Sequence, residues 1–366
     1  MVSFLIVLGG KRMKDLTYYT LRIFQEINYR VSGICYRLGK LKKLNGVEIE
    51  EKKVERLSDI SIKQNDYGIK VNRKYPAGNV VEICTDASVL DIEVLYRRQA
   101  ILSHMSISGT SGIDIYVRGQ LNESRWVTNV VPDTVIQMRV RKRVQLDSQN
   151  KKSVLMYLPP YAEIEKIRIG CVEQNYIEQG HCEQRKKVVF YGSSITQGCA
   201  ASRPSLSYAN ILSRKLGVEC INYGFSESAK GQQYIITHMM QQNPQCVVLE
   251  YDHNADLEEL KGTHLQVYEA IRRYNKFVPI VMLSRFSGQI SISPEEESER
   301  IQIIQETQRY ANENGDEKVF FISGKDSLKD KTDCFVDDRH PNDFGMQQIA
   351  GLLENVLCKV LMINEI

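Results

Sequence analysis

No two cysteines in this chain are spaced CxxC, neither sign of charge dominates, and no apolar run is long enough to cross a bilayer. Each absence excludes a class of protein. Nine cysteines are an odd number, scattered through ordinary globular sequence, so they are read as reduced thiols of a cytoplasmic protein rather than a disulfide framework. Lys and Arg number 48 against 45 Asp and Glu, a formal charge of +3, which gives no electrostatic reason for a nucleic-acid or membrane-surface partner. The opening MVSFLIVLGG is apolar but lacks a basic leading region, a spanning length and a small-residue cleavage pattern, so no secretory signal is expected. Translation from Met13 is a further expectation, with the codons of residues 9–12 as a ribosome-binding site; the intact mass of protein expressed from its native gene checks it. No spaced ligand set calls for a metal, and no cofactor is expected. Oligomeric state leaves no mark in the sequence.

What is present is a chain of 366 residues, 42% hydrophobic, long enough for two domains. Residues 1–58 read as a helical extension and linker: Tyr18, Leu21, Phe24 and Ile27 form one stripe from Asp15 onward, and residues 40–53 carry the charges of a solvated connection. Residues 59–172 change to a period of two, with strands expected at Val80–Ile83, Leu90–Leu95, Ile113–Val117, Val135–Val144 and Ile164–Ile169, the pattern of an antiparallel β-sandwich. Trp126 falls in this region and reads as a core anchor, with stacking on a sugar as the alternative. Residues 173–186 form a polar linker.

From residue 187 to 366 strands alternate with helices. Val188–Tyr191, Val218–Asn222, Cys246–Tyr251, Val278–Leu283 and Val319–Ile322 are short apolar runs, and helices lie between them. One helix begins at Ser293-Pro294, where serine caps, proline takes the first turn and Glu295 to Glu297 favour the positive end of the dipole. A final helix runs from about Asp343 to Leu361. Strand and helix repeated five times predict a doubly wound parallel sheet.

Ligands bind at the carboxyl ends of such strands. The first strand ends at Gly192 and is followed by Ser193 and Ser194, which by themselves read equally as a nucleophile turn or as a plain loop. Three other segments share the rim: NYGF with Gly224, EYDHN with Asn254, and VDDRHPND before the last helix. Asp337 and His340 stand three residues apart, so a turn can bring the carboxylate to one imidazole nitrogen and leave the other for a serine proton. Pro341 disfavours helix at His340, which suits a residue held in a loop.

These blocks resemble those of SGNH, or GDSL-type, hydrolases. GSSITQG corresponds to the family's first block around Ser194, NYGF to the second through Gly224, DHN to the third through Asn254, and DDRHPND to the last through Asp337 and His340. SGIDIYVRG, with Gly112, Asp114 and Tyr116, is similar to the Gly-x-Asp-Leu-Tyr signature of an amino-terminal β domain in a bacterial branch of these enzymes. Position 193 is Ser where much of the family has Asp, the third block carries Asp252 and His253 ahead of Asn254, and Asp338 competes with Asp337 as the acid. The resemblance implies a flavodoxin-like five-stranded sheet preceded by a jelly-roll-like sandwich. It also implies ester hydrolysis through an acyl-enzyme. Ser194 would attack, His340 would carry the proton and Asp337 would orient it, with the Ser194 and Gly224 amides and the Asn254 side chain as oxyanion donors.

The substrate expected is a short acyl ester, acetyl above all, of a carbohydrate; no long apolar lid suggests a lipase. Arg285 and Arg203 would contact a polar or anionic substrate, unless both are plain surface arginines. Acyl transfer by the same residues, and carbohydrate binding without catalysis, are the alternatives.

Overall fold

The computed structural model describes residues 45–50, 55–57, 62, 66–118, 124–146, 150–171, 175–180, 185–286, 292–325, 328 and 331–363. The expected amino-terminal helix and its stripe lie outside them. Nine antiparallel strands come first: β1 (Asn45–Glu50), β2 (Val80–Thr85), β3 (Val89–Gln99), β4 (Ile113–Arg118), β5 (Ser124–Val130), β6 (Arg139–Gln145), β7 (Lys152–Tyr157), β8 (Ala162–Cys171) and β9 (Ile177–Gln179). They form two sheets, ordered β1-β8-β3-β6 and β5-β4-β7-β2-β9. The period of two explains the packing. Leu90, Ile92 and Val94 alternate along β3 and bury against Ile113, Ile115, Val154, Met156, Ile167 and Ile169 from the neighbouring strands. Short helices α1 (Tyr67–Asn72) and α2 (Ile107–Ser111) interrupt the strands.

Three readings of this half differ from the structure. Residues 40–53, expected to be a solvated connection, contain β1, whose Asn45–Glu50 pairs with Cys171–Lys166 of β8. The charges there sit on the outer face, where Glu48 meets Lys166 and Arg168, while Ile49 alternates into the core. The linker expected at residues 173–186 likewise contains β9, paired with Ile83–Thr85 of β2. Trp126 is no core anchor. It lies on β5, an edge strand, 42% exposed, with the Arg203 guanidinium 4.8 Å from its ring centre.

The remainder is the expected parallel sheet, β10 (Lys187–Gly192), β11 (Glu219–Gly224), β12 (Cys246–Glu250), β13 (Ile280–Leu283) and β14 (Val319–Ile322), in the order β11-β10-β12-β13-β14. That order has its switch between β10 and the strands on either side of it, where a doubly wound sheet opens a crevice. Val189 and Tyr191 of β10 enter one apolar cluster and Val188 and Phe190 the other, so the sheet is covered on both faces, as a continuous apolar run requires. The covering helices are α3 (Ser194–Gln197), α4 (Tyr208–Leu216), α5 (Gln233–Gln241), α6 (Leu257–Tyr274), α7 (Pro294–Glu313) and α8 (Asp343–Leu361). Ser293 caps α7 by accepting from the Glu296 amide, with Pro294 in the first turn. No helix among the described residues is long and apolar enough to cross a membrane.

Candidate active site

Register brings the first three sequence blocks level. Gly192 at the end of β10 pairs with Gly224 of β11 on one side and Glu250 of β12 on the other. The next residues therefore emerge together at the rim. Ser193 caps α3, its hydroxyl accepting from the Ile195 amide, and Ser194 is the first helical residue. A first-turn amide has no intrahelical acceptor, so the Ser194 N–H points out of the helix end. Gly224 must lack a side chain: a Cβ there would stand 2.2 Å from the Gln197 amide nitrogen.

The fourth block reaches Ser194 through a tight loop. A bridge joins Phe335 to Pro341, the Val336 amide donates to the His340 carbonyl, and Asn342 caps α8 through the amides of Phe344 and Gly345. Within this loop Asp337 Oδ1 accepts from the His340 and Arg339 amides, and Oδ2 lies 2.8 Å from His340 Nδ1. His340 Nε2 lies 3.0 Å from Ser194 Oγ. The chain Ser194–His340–Asp337 is thus continuous, and the acid in it is Asp337; the carboxylate of Asp338 faces Arg339 instead, at 4.0 Å.

Burial pushes the His340 imidazole below its ordinary 6.5, against the Asp337 carboxylate that holds it up, with charge repulsion from His104 and Arg339 adding to the depression. Burial pulls the Asp337 carboxyl upward, but hydrogen bonds from the His340 side chain and from the amides of His340 and Arg339 outweigh it, and the carboxyl lies below its usual range. At neutral pH the pair is a neutral imidazole oriented by a carboxylate. Such a pair can accept a proton from Ser194.

The GDSL-like lipase/acylhydrolase family matches residues 185–358, and GxDLY, the amino terminus of SGNH-hydrolase-type esterases, matches residues 39–177. The chain thus carries a GDSL-like lipase/acylhydrolase domain preceded by the amino-terminal region of an SGNH-type esterase. Its fold is similar to that of a GDSL-like lipase from Bacteroides ovatus, with 21% identity, coverage of 87% of this chain and 99% of the other, and a TM-score of 0.77. It is also similar to the salicylyl-acyltransferase SsfX3 from a tetracycline biosynthetic pathway, with 14% identity, coverage of 88% and 99%, and a TM-score of 0.70. A third similar structure is a family two carbohydrate esterase from Clostridium thermocellum in complex with cellohexaose, with 16% identity, coverage of 78% and 93%, and a TM-score of 0.57. No protein of curated function matches the chain.

The other expected site residues of this esterase fall into place unevenly. Asn254 lies at the rim, its Nδ2 donating to the Phe225 carbonyl at 2.8 Å, which orients the amide and leaves a second hydrogen. The Gly224 amide is already engaged: it donates to Asn222 Oδ1 at 2.8 Å. The block's other two polar residues turn away. Asp252 is buried against Arg300 and Arg285, and His253 Nε2 accepts from the Phe286 amide. Arg285 is therefore neither a surface arginine nor placed to meet substrate; it is 5% exposed, and its own amide donates to Asp252. Arg203 donates to the Tyr116 and Ser205 hydroxyls, 3.5 Å from the Asp114 carboxylate, with its guanidinium carbon over the Trp126 ring.

That last cluster explains the GxDLY-type segment in physical terms. Asp114, fully buried on β4, accepts from the Ser205 amide, and Tyr116 shares a hydrogen bond with the Ser205 hydroxyl. A Cβ on Gly112 would stand 2.4 Å from the Ser108 carbonyl, so the close turn out of α2 needs glycine. The motif clamps the β-domain onto residues 203–205, a few residues beyond the serine turn.

Two residues near the site were not anticipated. Glu250, at the end of the apolar run of β12, receives hydrogen bonds from the Ser193 amide and hydroxyl and from the Thr196 hydroxyl, so a carboxylate supports the turn although position 193 is serine. Burial raises it to about 7, against those hydrogen bonds. His104, from the loop between β3 and α2, lies parallel to the His340 ring with centroids 4.8 Å apart. His104, Cys199 and His340 are the grouping among the described residues whose donor atoms, within 4.8 Å of one another, come close enough for a metal ion. Both His340 nitrogens are engaged by Ser194 and Asp337, and burial pushes the Cys199 thiol up to about 12. A metal ligand must be a free lone pair or a thiolate, so the cluster fits hydrogen bonding better than metal.

Proposed function

We propose that the protein is a serine esterase that removes short acyl groups, acetyl above all, from a carbohydrate through an acyl-enzyme. The observation that carries the reading is the unbroken chain from Ser194 Oγ through His340 to Asp337, at 3.0 and 2.8 Å. In this mechanism His340 Nε2 takes the Ser194 proton as Oγ bonds to the ester carbonyl carbon. The tetrahedral oxyanion then collapses, the C–O bond to the sugar breaks, and His340 returns the proton to the leaving alcohol. Water repeats the sequence on the acyl-enzyme. Asp337 keeps the tautomer that leaves Nε2 free as the acceptor. The oxyanion donors best supported are the outward Ser194 amide and the second hydrogen of Asn254; the Gly224 amide joins them only by leaving Asn222.

A carbohydrate ester is favoured by the fold shared with family two carbohydrate esterases and by the absence of a long apolar lid in the sequence. The fold shared with a salicylyl-acyltransferase supports a second reading, transfer of the acyl group to another alcohol by the same residues. The scattered cysteines support a cytoplasmic setting. The experiment is hydrolysis of p-nitrophenyl acetate beside Ser194→Ala at matched folding, followed by a panel of acetylated sugars with and without added acceptor sugars. Turnover lost by roughly six orders of magnitude in the variant, to background, is expected. Equal rates in both proteins would overturn the reading, and product formation that depends on acceptor would select transfer.

A further inference from the structure

We propose that His104, carried by the β-domain, is a positioning residue that holds the plane of the His340 ring against Ser194. The inference rests on the esterase reading for its catalytic meaning, but its geometry stands by itself.

His340 is tied at two edges, Nδ1 to Asp337 and Nε2 to Ser194. Both hydrogen bonds lie in the ring plane on nearly opposite sides, so they leave the ring free to rock about the line that joins them. A contact on the ring face resists that motion. His104 supplies one: its ring is parallel to that of His340 within 2°, at 4.8 Å between centroids.

His104 is itself held. Its Nε2 lies 3.1 Å from Cys199 Sγ. The Cys199 thiol is 2% exposed and keeps its proton, so the contact is a hydrogen bond between a neutral thiol and the ring nitrogen. The loop that carries His104 is held by its own domain before the histidine and by the hydrolase domain after it. The Ala100 amide donates to the Tyr161 carbonyl, Met105 packs with Tyr161 and Cys199, and the Ser106 and Ser108 hydroxyls both donate to the Ser202 carbonyl. Gly109 fits so closely that a Cβ would stand 2.5 Å from the Ala201 carbonyl oxygen. The β-domain is thereby coupled to the serine turn through residues 199–202 and to the general base through one ring.

The charged and titratable groups around His340 are Asp337 and Arg339 on its own loop, His104 across the domain boundary, Cys199 after the serine turn, and His253 after β12.

The test compares His104→Ala with His104→Phe, which keeps a flat ring without a titrating nitrogen. His104→Gln replaces the alanine variant should that one not fold. Two readouts are used: kcat and KM on p-nitrophenyl acetate, and solvent exchange of the His340 Nδ1 proton by NMR, which needs no substrate. The ring-less variant is expected to lose about tenfold in kcat with KM within about twofold, and to exchange the Nδ1 proton faster, whereas His104→Phe stays within two- to threefold of wild type in both. A ring-less variant that matches wild type in either readout, or a phenylalanine variant no better than it, would overturn the proposal. Failure of the esterase reading would show separately, as no turnover by wild type or as turnover retained by Ser194→Ala.

Discussion

Ser194, Gly224 and Asn254 reach the site from strands whose ends are paired in register, Gly192 against Gly224 and against Glu250. His104 reaches it from a β-domain loop fastened by side-chain hydroxyls, one thiol and a packed methionine. The backbone ladder fixes positions to a fraction of a residue and tolerates no alternative, while the docking face depends on a handful of side chains that can be removed one at a time. Chemistry is thus lodged in the rigid half, and its fine alignment is shared with the adjustable half.

After loss of the nucleophile itself, the largest effect expected separates neighbouring acids on the same loop. Asp337→Asn should lower kcat by roughly 10³- to 10⁴-fold, since the imidazole then loses the carboxylate that selects its tautomer, whereas Asp338→Asn should change it little. Rates of the two purified variants on the same ester make the comparison. Next comes a contrast within the third block. Asn254→Ala should cost about 2.7 to 4 kcal/mol of transition-state stabilisation with an unchanged melting curve, as loss of one oxyanion donor does. Asp252→Ala should instead destabilise the fold by about 3 to 5 kcal/mol, because it leaves the buried Arg300 and Arg285 without their carboxylate. Kinetics and denaturant melts on both variants distinguish a chemical residue from a structural one two positions away.

In the adjustable half the expected effects are smaller. Asp114→Ala strands the buried Ser205 amide and should cost about 1 to 3 kcal/mol in stability, measurable as a lower denaturation midpoint. The pH dependence of wild type sharpens the comparison further. Because His340 lies below its ordinary 6.5, kcat/KM should rise with pH through a midpoint below that value and be flat at neutrality. Glu250 behaves in the opposite sense. Its carboxyl is raised from 4.5 to about 7 in the folded protein, so the stability its protonated form contributes is full below about pH 4.5 and is lost as pH rises to about 7. Glu250→Gln should flatten the melting temperature across that window relative to wild type.

Much of the parallel half was legible because its signals are local. The five strands were marked by short apolar runs, the last helix by its apolar period, and Asp337 and His340 by a spacing that only a turn needs to satisfy. The β-domain was harder to read. Strand β1 hides among charges that lie on its outer face, and β5 carries the exposed Trp126 that a rare aromatic in a core would not be. Gly224 was placed correctly beside the serine turn, yet nothing in NYGF shows that the side chain of Asn222 occupies its amide. Arg285 looked like a surface cation because its partner Asp252 is far off in sequence and on a different strand end. His104 was invisible for the same reason. A single histidine in a loop has meaning only once the fold brings it 4.8 Å from His340.

The most direct measurement of the central claim is mass spectrometry after reaction with a fluorophosphonate, which phosphonylates an activated serine. The account predicts one adduct, on Ser194, formed far more slowly in His340→Ala. An adduct on a different residue, or none in a preparation that turns over esters, would contradict it.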